Sequence, residues 1–399
     1  MKPLAEVEQD LEPARETKYP QNGFFTGAER PCRFEAEVFN CTVRGQIPRQ
    51  IDGTYYRVMP DSLWGPLYDN DVFINGDGCI NAVRIRDGYA DFKSRYVRTE
   101  KFLIERAARQ AVYGRYRNRY TDDPRVKHRI HSTANTHVVY YEKQLLALKE
   151  DSKPYAMDPD TLETKGYYDF HGQYTAPTHT AHPKIDPETG EMVTMGYMAT
   201  GEGTTDVAYF LFDRNGKKLE ECWIKTPYSG TMHDMATTKD WIIFPMPPLV
   251  ASTKDELMKG DKAFAWDDDK PLVFGLLPRR NPKPEDVRWF HYKNAFFGHI
   301  GNAFDGEDGC VYLDAPITYG NKVSCTLPRK AQPLVSRSDD GADTDHLLVL
   351  VLSTQDRRSQ FKHSAVQGPL CTLEIRPQCY RLLRRAHGVG RAGGGDAAR

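Results

Sequence analysis

Apolar and polar residues alternate in short runs along most of the chain, and turn residues close each run. HVVYYEKQLLALKE (137–150), EMVTMGYM (191–198), WIIFPM (241–246) and CVYLDAPI (310–317) are rich in Val, Ile, Tyr, Phe and Leu, and each is strand-sized. Between such runs stand IDG (51–53), NGDG (75–78), RDG (86–88), DPETG (186–190), DRNG (213–216) and GEDG (306–309), whose Gly, Asn and Asp residues favour tight turns. DVAYFLFDRNGKKLEECWIK (206–225) predicts a hairpin: an alternating run, an Asn-Gly turn at 215–216, then a second strand. One stretch, roughly Thr99–Arg117, has the spacing of an amphipathic helix. Many short strands, regular turns and little helix predict an all-β sandwich, barrel or propeller.

The pattern fades at both ends. Residues 1–18 are polar and read as a flexible N-terminus. RKAQPLVSRSDDGADTD (329–345) reads as a linker or long loop, and the glycine-rich tail 388–399 as disordered. No composition shift divides the middle, so residues 19–387 are expected to form a single domain.

Charge is balanced, with 54 Lys and Arg against 55 Asp and Glu. A nucleic-acid partner or an anionic membrane surface would call for a basic excess, so neither is expected. The eight cysteines form no CxxC pair and fit neither a zinc site nor a disulfide scaffold. The N-terminal segment lacks the apolar core of a signal peptide, and the longest aliphatic run, Leu347–Leu352, is too short to span a bilayer. The expectation is a reduced, cytoplasmic protein with no stable membrane insertion.

Twelve histidines are present, none in HExxH or HxH spacing. Three stand at the edges of expected strands: His182 in THTAHPKIDPETGE, His233 in TMHDMATTKDWIIFP and His299 in RWFHYKNAFFGHIGNAFDGEDG. Neighbouring blades of a propeller could point such side chains at a common axis. These segments, with LALKEDSKPYAMDPDTLET (146–164) and NGDG (75–78), resemble the carotenoid cleavage oxygenase family over most of residues 18–320. The resemblance implies a seven-bladed β-propeller that holds Fe(II) on its axis with four histidines and splits a carbon–carbon double bond with O2. Carried over segment by segment, it implies His182, His233 and His299 as the first three ligands and Glu150 as a glutamate that orients a ligand. His291, in the look-alike HYKNAF, is read as a non-ligand. For the fourth ligand YRLLRRAHGVG offers His387, with His346 and His363 as weaker alternatives.

Only about two blades' worth of chain, at ~40–45 residues each, separates His299 from His387. The acidic EFPR-like segment typical of the family is missing. The resemblance therefore implies an internal shortening near 321–330 and an incomplete propeller lacking about two blades.

Within the family the likeness is to the stilbene-cleaving branch of lignostilbene and resveratrol dioxygenases, of fungal type. Lys149 precedes Glu150, and Tyr116 stands in YGRYRNRYTDDP, with Arg119 where that branch has proline. The resemblance implies that this pair holds the phenolic 4-hydroxyl of a small stilbene, the substrate cleaved together with O2. An apocarotenoid substrate, or an inactive truncated paralogue, are the alternative readings.

Overall fold

The hairpin expected over 206–225 forms where the turn chemistry places it. Asp206–Phe212 pairs antiparallel with Lys218–Lys225, with a register shift between Leu211 and Phe212. The Asp213 carboxylate accepts from the N–H groups of Asn215 and Lys217, and Gly216 takes a φ of +77°. In the next most legible unit, His137–Tyr141 turns into Gln144–Leu148 through Glu142 and Lys143, both at positive φ. That is the turn whose twist matches two paired strands.

The structure, a computed structural model, describes residues 19–319 and, for the backbone alone, the strands His346–Ser353 and Leu373–Ile375. The expected flexible N-terminus, the segments 321–330 and 329–345, the tail 388–399, and His363 and His387 lie outside the described residues.

Among the described residues, five antiparallel sheets of four or five strands follow one another along the chain. The first orders its strands Ala36–Val38, Tyr89–Tyr96, Gly78–Arg86 and Gly53–Pro60. The second is a meander from His137–Tyr141 to Thr164–Tyr167, and the third runs from Lys184–Ile185 to Lys218–Lys225. The fourth pairs Ala236–Thr237, Trp241–Met246, Val273–Pro278 and Arg288–His291 in that order. The fifth sets Ala295–Phe296 and Asn302–Asp305 against Cys310–Tyr319, followed by His346–Ser353 and Leu373–Ile375. A two-stranded insert, Leu249–Ala251 with Phe264–Trp266, branches from the fourth.

Consecutive sheets pack face to face, which explains why their central strands are apolar at nearly every position. Leu145 and Ala147 point to a core shared with Ile80 of the first sheet, whereas Leu146 and Leu148 join Phe210 and Phe212 of the third. Tyr209 and Leu211 turn the other way, onto Ile242 and Phe244 of the fourth. Ile243 and Phe274 then meet Val311 and Leu313 of the fifth. Strands that bury both faces lose the polar half of the alternation.

The helix is shorter than its sequence pattern suggested. Thr99 caps it, its hydroxyl accepting from the Phe102 N–H at 3.1 Å, but it covers only Glu100–Ala108 and ends at Arg109 with φ +56°. Beyond it the Glu105 carboxylate accepts the N–H groups of Val112 and Tyr113 at 3.0 and 3.1 Å, drawing the chain back across the helix. Lys101 neutralises Glu105 and also reaches Asp77 of NGDG, so this motif braces the scaffold. Among the described residues no helix is long and apolar enough to cross a membrane.

Candidate metal centre

His182 and His233 stand a few residues ahead of the first strands of the third and fourth sheets, and His299 stands between Ala295–Phe296 and Asn302–Asp305 of the fifth. Because those sheets stack side by side, the three loops converge. His182 Nε2 lies 3.1 Å from His233 Nε2, which in turn lies 3.1 Å from His299 Nε2. All the candidate donor atoms fall within 4.8 Å of one another. Burial and the neighbouring imidazoles hold the His182 and His299 rings below the usual histidine range, so their nitrogens keep lone pairs to offer a cation.

Glu150 ends the segment that follows Gln144–Leu148 and is buried, 5% exposed. Its Oε1 pairs with His233 Nδ1, and its Oε2 accepts from the Tyr197 hydroxyl at 2.5 Å, with Arg117 at 3.4 Å. Burial alone would raise its pKa. The His233 ring, Arg117 and Tyr197 outweigh that and hold it at about 2. With Nδ1 committed to a carboxylate, the His233 ring turns Nε2 toward the other histidines. This is how a metal-binding imidazole is usually oriented. Neutral imidazoles with an anion behind one of them suit a divalent transition metal, and the donor set fits iron.

Lys149 and Tyr116 meet on the wall of an adjoining cavity. The Lys149 Nζ sits 4.8 Å from the Tyr116 ring centroid and donates to the Ile74 carbonyl at 3.1 Å and to Asn135 Oδ1 at 2.9 Å. Burial pushes the lysine pKa down; burial and then the Glu150 charge push the tyrosine up. The cavity, about 280 Å³, is walled by Val72, Ile74, Leu249, Phe264, Phe296 and Phe297, and His233 reaches into it. Tyr116 is held there by a close approach: a Cβ on Gly114 would lie 2.3 Å from the Thr121 carbonyl oxygen, so only glycine fits beneath that loop.

The structure thus brings together three of the expected histidines, Glu150, Lys149 and Tyr116. His291 is exposed at the end of its strand and outside the cluster. His346 opens a backbone strand of the fifth sheet, and His387 lies outside the described residues. Sequence reasoning missed Arg117, Tyr197 and His137, whose ring lies 5.4 Å from that of His182. Nothing in their local sequence signals these placements. Asp234 was in view within the MHD segment but was given no role.

A family model described as retinal pigment epithelial membrane protein (RPE65) matches residues 29–371. This chain belongs to that family, the carotenoid oxygenases. The carotenoid oxygenase chain is 49% identical over 305 residues to resveratrol cleavage oxygenase 1 of Aspergillus fumigatus, covering 76% of this chain and 61% of that protein. It is 48% identical over 305 residues to carotenoid cleavage oxygenase 1 of Neurospora crassa, covering 76% of this chain and 57% of that protein. The crystal structure of Pseudomonas brassicacearum lignostilbene dioxygenase superposes with a TM-score of 0.79 at 38% identity, over 84% of this chain and 69% of that one. The chain therefore spans only about six-tenths of the length of these two curated relatives.

Proposed function

We propose that this carotenoid oxygenase is a non-haem Fe(II) dioxygenase that cleaves the central C=C bond of a 4-hydroxystilbene with O2, giving two aromatic aldehydes. The substrate class is that of resveratrol, piceatannol and lignostilbenes. On this reading His182, His233, His299 and His387 hold the iron, and residues 19–387 form one cytoplasmic catalytic propeller.

The observation that carries the proposal is that Lys149, Tyr116 and His233 share one cavity. An ammonium has three N–H donors; two of those on Lys149 are spent on Ile74 and Asn135, leaving one for a ligand in the cavity. That N–H and the Tyr116 hydroxyl can together hold a phenolate oxygen. The negative charge delocalises through the ring to the alkene and makes it electron-rich. The apolar walls take the rings and exclude water. Iron bound at the histidines supplies the activation of O2.

The Neurospora relative, by its name a carotenoid cleavage oxygenase, favours a second reading, a carotenoid or apocarotenoid substrate. A hydrocarbon chain gains nothing from a buried ammonium, so Lys149 weighs against it. The test compares resveratrol with its 4'-methoxy ether on the iron-loaded protein, measuring aldehyde formation. A charge-assisted hydrogen bond is worth roughly 1.5–3 kcal/mol, so its loss alone slows cleavage about ten- to a hundredfold. The ether is expected to be nearly inert, and Lys149→Met and Tyr116→Phe poor on resveratrol. Equal cleavage of the ether, or preference for a carotenoid, would overturn the phenolate role. Absence of any cleavage by a protein that retains iron would point to an inactive shortened propeller.

A further inference from the structure

Each of the three clustered histidines is at most two residues from a contact with one carboxylate. Asp234 directly follows His233 and is 2% exposed. Its Oδ1 accepts from the Lys184 ammonium at 2.6 Å, and Lys184 lies two residues after His182. Its Oδ2 accepts from the backbone N–H of Ile300 at 2.9 Å, and Ile300 directly follows His299. Among the described residues, the third, fourth and fifth sheets share no strand ladder with one another. Both oxygens of one side chain therefore bridge the three loops that bear the histidines.

We infer that Asp234 is the positioning residue that fixes the spacing of His182, His233 and His299, and that Lys184 is its partner in that role. The inference rests on the metal-site reading above. It assigns Asp234 a task that Glu150 does not perform: Glu150 touches only His233 of the three and orients its ring, whereas Asp234 sets one loop against the other two. A carboxylate that merely closed its own turn would need only its 2.7 Å contact with the Met235 N–H. The contacts to Lys184 and Ile300 are not explained that way. The side chain is not among those that line the cavity, so its effect on a ligand of the metal passes through the histidines.

The test titrates the metal-free full chain with Co(II) and records the visible d–d bands, which report the number and arrangement of ligands independently of turnover. Removing a partner that orients metal ligands typically weakens binding about 10–100-fold. Asp234→Asn is expected to bind Co(II) in that range more weakly than the parent and, at saturation, to show altered bands. Lys184→Met, which removes only the third-sheet tether, should be weakened less, and the double variant should match Asp234→Asn. Asp234→Glu should recover part of the parent affinity. If Asp234→Asn fails to fold, Lys184→Met carries the comparison, because its ammonium is partly exposed and no part of the core. Folded variants with parent affinity and parent bands would overturn the positioning role while leaving the metal site standing. A parent protein that takes up neither Co(II) nor Fe(II) would overturn the metal reading, and this inference with it.

Discussion

Glu150 is a carboxylate taken almost entirely out of water yet kept ionised, because a histidine, an arginine and a tyrosine face it. Its pKa in the folded chain is about 2, against an ordinary 4.5. A carboxylate with a depressed pKa contributes stability that is complete above the unfolded value and is lost as pH falls through the folded one. Glu150 in turn raises His233 above the usual histidine value, so in the metal-free protein the stability difference between parent and Glu150→Gln should be largest near pH 5 and fall as pH rises through that raised value. It should shrink below about 4.5 and vanish near 2, as followed by urea unfolding at each pH. A difference that stays flat from pH 5 to 8 would mean that His233 does not titrate against Glu150. At the opposite extreme, His291→Ala should bind iron like the parent and change stability by no more than about 0.5 kcal/mol, because the residue is exposed and outside the cluster. The two histidines sit in similar words, HYKNAF and HIGNAF, and no spacing rule separates His291 from His299. What separates them in space is the strand each belongs to. His291 ends the outer strand of the fourth sheet, whereas His299 precedes the strand that opens against Cys310–Tyr319. The site was legible where a motif carried the residue. Arg117 and Tyr197 were not, because their role comes from packing two distant segments together.

At the scale of elements, the hairpins could be read directly because their turns are local chemistry: Asp213 and Gly216 reverse the chain without help from elsewhere. The helix could not, because what ends it is Glu105 reaching forward to two later N–H groups, an arrangement that hydrophobic spacing does not encode. The segment after the helix carries Tyr116 and Arg117, so its shape matters to the site. Gly114→Ala would drive a Cβ into the Thr121 carbonyl. The loop must then shift, at a cost of about 1–3 kcal/mol, and Tyr116 shifts with it. We expect KM for resveratrol to rise by about tenfold or more while iron content stays at the parent level. Loss of iron instead would show that the loop supports the histidines as well. The helix cap gives a control remote from the cavity. Thr99→Ala should lower stability by about 1 kcal/mol and leave KM unchanged, because Thr99 serves the Phe102 N–H and does not line the cavity.

At the scale of the whole molecule, the described sheets pack face to face from the first to the fifth, and the first differs in burial from those in the middle. In the third and fourth sheets, Met192–Tyr197 and Ile242–Met246 are buried at every position, with a filled core on each side. Among the described residues the first sheet has such a core on one face, and on the other only a small cluster at one end, where Cys79, Tyr96 and Met59 pack with Phe102 of the helix. On its other face the register aligns Tyr55, Val83, Phe92 and Val38 in one cross-strand row, and Tyr55 and Val38 are 64% and 45% exposed. Phe39, next to that row in sequence, is 73% exposed. Local opening is easiest where few apolar contacts must be broken, so opening should begin at the first sheet and reach the middle last. Hydrogen exchange followed by mass spectrometry should find the amides of Ala36–Val38 and Gly53–Pro60 exchanging early. Those of Met192–Tyr197, Val207–Phe212 and Ile242–Met246 should exchange only through global unfolding. A Phe210→Ala cavity between the second and third sheets, costing about 3–5 kcal/mol, should then accelerate the middle strands far more than the first sheet, which already opens on its own. If the first sheet is instead as protected as the third, and Phe210→Ala accelerates every sheet alike, the outward face of the first sheet is covered in the folded protein and the stack closes on itself.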